Sequence, residues 1–163
     1  MLKITKFFSI LIVLLLSLNC NSQVIGVGIN TSDPKSTLDI NGNLSVKEIG
    51  TATPLYGGPS GNATPINDGV YISITPRNSD NDFKLPFPTT VPGRIYIIRN
   101  VSSTNTAYLL IDGTPFANTG RFYAKDSSSP TPTTGTPVIS MPANALFKTL
   151  ILISDGANWT YFF

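Results

Sequence analysis

Histidine is absent from the 163 residues and cysteine occurs once, at Cys20. Without an imidazole there is no Ser-His-Asp or Cys-His arrangement to activate a nucleophile. Zinc centres built from His and Cys are excluded by the same shortage. A single cysteine forms no internal disulfide, so a domain of this size has to be held by its core. Charge is also scarce: Asp, Glu, Lys and Arg make up 12% of the chain, well under the ~25% of an average soluble protein. Eleven basic residues stand against nine acidic ones. Removal of Lys3 and Lys6 with a leader would leave nine against nine, which gives no electrostatic case for nucleic acid. Low charge combined with many aromatic and β-branched residues is not the composition of a disordered chain. A folded β protein is expected.

What is present begins with a leader. Lys3 and Lys6 precede the apolar run FFSILIVLLLSL from Phe7 to Leu18, which has the order of a signal peptide. The run falls short of the ~20 apolar residues of a membrane-spanning helix, so no span is expected. Cleavage after Ser22, with Cys20 and Ser22 at the two small positions, makes residues 1–22 the signal peptide and Gln23 the mature start. The alternative is a lipoprotein acylated at Cys20. Both place the protein outside the cell, secreted or on the outer surface.

Residues 23–49 read as a β-hairpin stem. Its stretch VIGVGINTSDPKSTLDINGNLSV, from Val24 to Val46, is dense in turn chemistry. Asp33 and Pro34 set one turn, because proline holds φ near −65° and an aspartate side chain bonds backbone two residues on. Asn41 and Gly42 suit the positive φ angles of a two-residue type I′ turn. They are flanked by Leu38 and Ile40 on one side and Leu44 and Val46 on the other, an alternation that specifies a hairpin with one apolar face. A lone hairpin buries too little to stand in water. Leu38, Ile40, Leu44 and Val46 are therefore the expected contacts of a homo-oligomer.

Residues 50–66, rich in Gly and Pro, read as a linker, and residues 67–163 as the head. Gly57-Gly58 lacks the Lys-Ser or Lys-Thr of a phosphate-binding loop, and Gly26 and Gly28 lack the third glycine of a dinucleotide fingerprint. Eight strands are expected beyond the linker: Val70 to Thr75, Phe83 to Leu85, Arg94 to Val101, Thr106 to Asp112, Arg121 to Ala124, Pro137 to Met141, Leu146 to Ser154 and Asn158 to Phe163. Short apolar and aromatic runs separated by turn clusters, with no helical period, are the pattern of an all-β fold. The expectation is a short hairpin stem followed by an antiparallel, jelly-roll-like β-sandwich. Ile95 to Ile98 and Leu150 to Ile153 show no polar face, which places them centrally or against a neighbouring subunit. Asp126 to Thr136 reads as an exposed polar loop.

Chemistry has few places to reside. Glu48 and eight aspartates could in principle form a carboxylate pair, but most stand beside Asn, Gly or Pro, where aspartate serves turns. No enzyme activity and no cofactor are expected. Asp80 and Asp82, with Asn81 between them, form a weak metal candidate that lacks the spacing and closing glutamate of an EF-hand. The plainer reading is a solvated hairpin loop. Trp159 and Tyr161 could stack on a sugar ring, against the reading that a lone Trp entering the last strand packs in the core or an interface. Arg77, Arg94 and Arg121 could pair with acidic sugars or with carboxylates of the same fold.

Gly28, Ile29, Asn30, Thr31, Pro34 and the run Leu38 to Asn43 resemble a "GIGT-xxP-xxxLDVNGNI" stretch of phage tail-fibre proteins and secreted fibre-like bacterial surface proteins. Ser154-Asp155-Gly156-Ala157-Asn158-Trp159 is similar to an "SDGxNW" ending in the same proteins, and Pro92 to Asn100 to a strand upstream of it. The resemblance implies a surface structural or adhesive protein, commonly trimeric, with a surface glycan or protein as partner. A carbohydrate-binding module is the alternative.

Overall fold

Residues alternate between apolar and polar through most of the chain beyond Val70, and that period of two builds a sheet with one face buried. The computed structural model describes residues 26–112, 120–132, 136–144, 146 and 148–163. The expected signal peptide and Cys20 lie outside them. The chain divides into two compact units, Met1–Ser45 and Val46–Phe163.

The first unit departs from the expected hairpin. Strand β1 (Val27–Ile29) pairs in parallel with β2 (Leu38–Ile40), Val27 opposite Leu38 and Ile29 opposite Ile40. A type I′ turn needs positive φ at both central residues. In this unit the non-glycine residue with positive φ is Asn30, at 57°, and Gly42 is not among the glycines that adopt it. Asn41 instead ties the two strand ends. Its backbone N–H donates to Ile29 O at 3.0 Å and its side-chain amide to Asn30 O at 3.3 Å. Residues 43–47 form no strand, so Leu44 and Val46 do not make the second arm of a hairpin. Asp33 and Pro34 lie in the loop joining the strands, where the chain bends at Asp33. There the Asp33 N–H donates to Thr31 Oγ1 at 3.3 Å, and Asp33 pairs with Lys35.

The second unit is all-β and sandwich-like. Its larger sheet runs in the order β12 (Pro130–Thr131), β11 (Phe122–Ala124), β15 (Trp159–Phe162), β14 (Thr149–Ser154), β9 (Ile95–Asn100), β7 (Tyr71–Thr75) and β3 (Glu48–Ile49), with β4 (Leu55–Tyr56) also on β7. The smaller sheet runs β13 (Val138–Met141), β10 (Ala107–Ile111), β8 (Asp80–Leu85) and β5 (Gly58–Pro59), with β6 (Thr64–Pro65) also on β8. As expected, β9 and β14 lie centrally. Ile72, Ile74, Tyr96, Ile98, Leu150, Leu152 and Trp159 of one sheet meet Phe83, Leu85, Leu109, Ile139 and Met141 of the other in a single buried cluster.

Pairing within the sheets is mixed, whereas the sequence suggested antiparallel strands throughout. β9, β14 and β15 pair antiparallel, as do β10 and β13. β7 with β9, β8 with β10 and β11 with β15 run parallel. The cause is the path of the chain. From β7 to β10 each turn reverses direction and also changes sheet, so alternate strands become neighbours pointing the same way.

The expected linker is part of this fold. β4, β5 and β6 fall within residues 50–66 and pair with β7 and β8, and Ile66 is buried in the core. The glycines serve close packing here. A Cβ on Gly58 would lie 2.0 Å from Asn62 O, and one on Gly57 would lie 2.5 Å from Asp80 O. The second unit accordingly starts at Val46, not at residue 67. Two further expected loops also carry strand: Asp80, Asn81 and Asp82 open β8, and Pro130–Thr131 pairs with β11.

Candidate functional site

Because β9 and β14 carry apolar residues on both faces, burying one face leaves the other outside. Tyr96, Ile98, Leu150 and Leu152 point into the core, whereas Ile95 and Ile151 are 46% and 40% exposed and Ile97 and Ile153 are partly exposed. Strand register aligns these side chains. Tyr71 lies opposite Ile97, Ile97 opposite Ile151, and Ile151 opposite Phe162, a row across four strands. A second row runs from Ile95 through Ile153 and Thr160 to Tyr123. Strands lie ~4.8 Å apart and same-face residues ~7 Å apart along a strand, so the two rows form one continuous apolar face. Charge lies only at the margins: the exposed Glu48 of β3 continues the first row opposite Tyr71, and Arg99 stands in the next row opposite Thr149.

The edges of both sheets are shielded by contrast. Proline stands within β5, β6 and β12, as Pro59, Pro65 and Pro130, where it removes a ladder donor. β13 is bracketed by Pro137 and Pro142, and β3 is two residues long. Such edges resist pairing with another chain.

The aromatic ligand candidates are placed differently from a sugar-stacking pair. Trp159 is fully buried, stacks on Tyr96 with ring centroids 5.5 Å apart, and donates its indole N–H to Pro86 O at 3.2 Å. It packs the core because its position on β15 points inward. Tyr161 is 7% exposed and bonds Thr131 Oγ1 at 3.3 Å, with its ring edge-on to Phe163. It also lines a shallow hollow of about 300 Å³ with Phe163, Lys125 and Asp126. The sequence did not distinguish inward from outward aromatics in this strand, since alternation fixes two faces but not which is buried.

The SDGANW segment is a turn in which nearly every polar group has a structural partner. Asp155 Oδ1 accepts from the N–H groups of Ala157 and Asn158 at 2.7 and 2.6 Å. Asn158 Oδ1 accepts from the Arg121 N–H at 2.9 Å, and Ser154 Oγ donates to Pro88 O at 3.0 Å. Gly156 takes φ 89°. These bonds tie the β14–β15 turn to β11 and to the 3₁₀ turn Pro88–Thr90. Asn100 falls within the expected strand Arg94 to Val101, where nothing in the sequence marks its role. Fully buried, it donates to Asn105 O and Met141 O at 3.0 and 2.8 Å and accepts from the Ser102 N–H at 2.9 Å, joining the two sheets.

Asp80 and Asp82 lie on one face of β8, and among the described residues no group of three or more His, Cys, Asp or Glu side chains is placed to hold a metal. Desolvation holds the Asp82 carboxyl above its ordinary value. The guanidinium of Arg77 sits 3.3 Å from the centre of the Tyr56 ring, and that of Arg94 5.7 Å from the Tyr96 ring, cation–π contacts internal to the fold. In the first unit Leu38 is 56% exposed, Leu44 is exposed and Ile40 half-buried; Val46, in the second, is exposed. No helix among the described residues is long and apolar enough to cross a membrane. In comparisons with protein-family models, curated proteins and solved structures, nothing matches the chain.

Proposed function

We propose that this chain is an exported, non-catalytic structural or adhesive surface protein that acts by self-association and surface recognition. The observation that carries the reading is the apolar face formed by Tyr71, Ile95, Ile97, Ile151, Ile153 and Phe162 on the larger sheet, with charge only at its margins, at Glu48 and Arg99. Contiguous apolar patches of a few hundred Å² mark interaction sites. The occupant is another copy of the same chain. A patch whose centre is apolar and whose margins carry one acid and one base offers little to an electrostatically selected partner, while symmetry lets one patch serve on every copy. A stable interface needs ~800 Å² per partner with an apolar centre and a polar rim. The apolar members of the two rows supply the centre, and Thr160 and Tyr123 at the end of the second row, with Thr149, Arg99 and Glu48, supply the rim. The number of copies is three, taken from the resemblance to fibre proteins. Leu38, Ile40, Leu44 and Val46 are proposed to add to the contact.

Light scattering on the mature protein tests this. A mass of three chains at micromolar concentration is expected, and Ile97→Lys with Ile151→Lys should return it to one chain with the circular dichroism unchanged. A monomeric wild type overturns the proposal. If Leu38→Lys with Leu44→Lys dissociates the assembly and the sheet variant does not, the contact belongs to the first unit.

A further inference from the structure

The smaller sheet carries an outward hollow that self-association leaves unused. β8 and β10 run parallel with Asp82 opposite Tyr108 and Lys84 opposite Leu110, while β5 flanks β8 with Gly58 opposite Asp82. The chain leaves β5 in a turn closed by the Asn62 N–H donating to Pro59 O at 2.9 Å. Gly61 takes φ 85° in it, the positive angle a type II turn demands at its third residue. The turn raises Asn62 and Ala63 as a wall beside the strands. Together with Asp82, Lys84, Leu110 and Asp112 they line a cavity of about 200 Å³.

The groups in this hollow are of three kinds. The Asp82 carboxylate has neither a hydrogen bond nor an ion pair among the described residues, and its surroundings already desolvate it. Lys84 Nζ bonds Asp112 Oδ1 at 3.0 Å, which uses one of its three N–H donors. Leu110 contributes an apolar surface on the same outer face. A metal ion suits this set poorly: the Lys84 ammonium repels it and occupies Asp112, leaving Asp82 alone. Two carboxylates against one ammonium also disfavour an anion. A cavity below the ~300–1,000 Å³ of drug-sized ligand sites takes one small ring.

The geometry points to a site for a single neutral pyranose, with adjacent hydroxyls donating to the Asp82 carboxylate, sugar oxygens accepting from Lys84, and a C–H face of the ring against Leu110. This deepens the recognition half of the function proposed above and is independent of the self-association half. A glycan binding here would be read one sugar at a time, by its pattern of hydroxyls.

The test is a titration of the ¹⁵N-labelled full-length protein with methyl glucoside, methyl galactoside, methyl mannoside and N-acetylglucosamine, followed by amide chemical shifts. At least one sugar should give saturable shifts at Asn62, Ala63 and Leu110 with a millimolar Kd, the affinity of a site offering a few hydrogen bonds. Asp82→Asn, which keeps the shape but loses the charge, should weaken binding at least tenfold. Leu110→Trp, which fills the hollow from a half-buried outer position, should abolish it. Both variants should keep the wild-type light-scattering mass, which separates this outcome from the fate of the oligomer. The proposal is overturned if none of the four sugars saturates, if Asp82→Asn binds as well as wild type, or if glucuronate binds better than the neutral sugars.

Discussion

Asn100 should prove the most sensitive polar position in the fold, because its one side chain makes three hydrogen bonds in a fully buried setting. Replacing it by Ala strands Met141 O and the Ser102 N–H, and leaving such groups unpaired costs about 1–3 kcal/mol each. Asn100→Ala should therefore lower stability by about 2–4 kcal/mol in urea denaturation; a loss under ~0.5 kcal/mol would show that water replaces the amide. At Trp159, the sole tryptophan, emission should be that of a buried indole and should stay unchanged by sugars. Quenching by a sugar would return the residue to the ligand role that its aromatic neighbours suggested. Neither placement was available from the sequence. Asn100 sits among Asn, Ser and Thr residues of ordinary loop composition, and only the meeting of the β9–β10 loop with the end of β13 gives its amide three partners. Trp159 could be placed on a strand, but which face that strand buries is a property of the second sheet.

At the scale of elements, the strands from Val70 onward were legible because period-two alternation and Gly, Pro and Asn clusters mark them locally. Each expected strand from Tyr71–Thr75 to Trp159–Phe162 appears within a few residues of its expected bounds. Pairing was not legible. A turn between two strands reads alike whether it stays in one sheet or crosses to the other, so the parallel neighbours β7 and β9 could not be distinguished from a meander. Composition also misled between residues 50 and 66, where glycine reads as flexibility and in fact permits backbone contact at Gly57 and Gly58. The Asn41-Gly42 pair was read from local preference alone, which the bonds from Asn41 to Ile29 and Asn30 override. A fragment comprising residues 46–163 should consequently melt cooperatively, while one starting at residue 67 lacks β3 to β6 and the core residue Ile66. The shorter fragment should melt at least ~5 °C lower, about the shift that 1 kcal/mol produces in a domain of this size. Equal melting temperatures would restore the linker.

For the molecule as a whole, the absence of histidine predicts a flat stability profile. In the chain from Gln23 onward, which lacks Cys20, only a chain terminus titrates between the carboxylate and tyrosine ranges, so the urea midpoint should barely move from about pH 5.5 to about 9. Above that range Tyr96 becomes decisive. Burial holds its phenol above 10.0 in the folded protein, so the unfolded chain loses this proton first and stability falls as pH rises from 10 through the folded value. Tyr96→Phe should flatten that alkaline limb; an unchanged limb would assign it to another group. The prolines of the sheet margins have a consequence at the same scale. A chain with so little charge lacks the mutual repulsion that keeps most proteins apart when crowded, and the surface setting proposed for it would be a crowded place. With Pro59, Pro65 and Pro130 in place, the proposed self-association would run through a finite patch and stop at a counted particle. Exchanging these prolines for valine would open the margins to endless strand-by-strand accretion, and thioflavin-positive fibrils in place of discrete particles are the expected product.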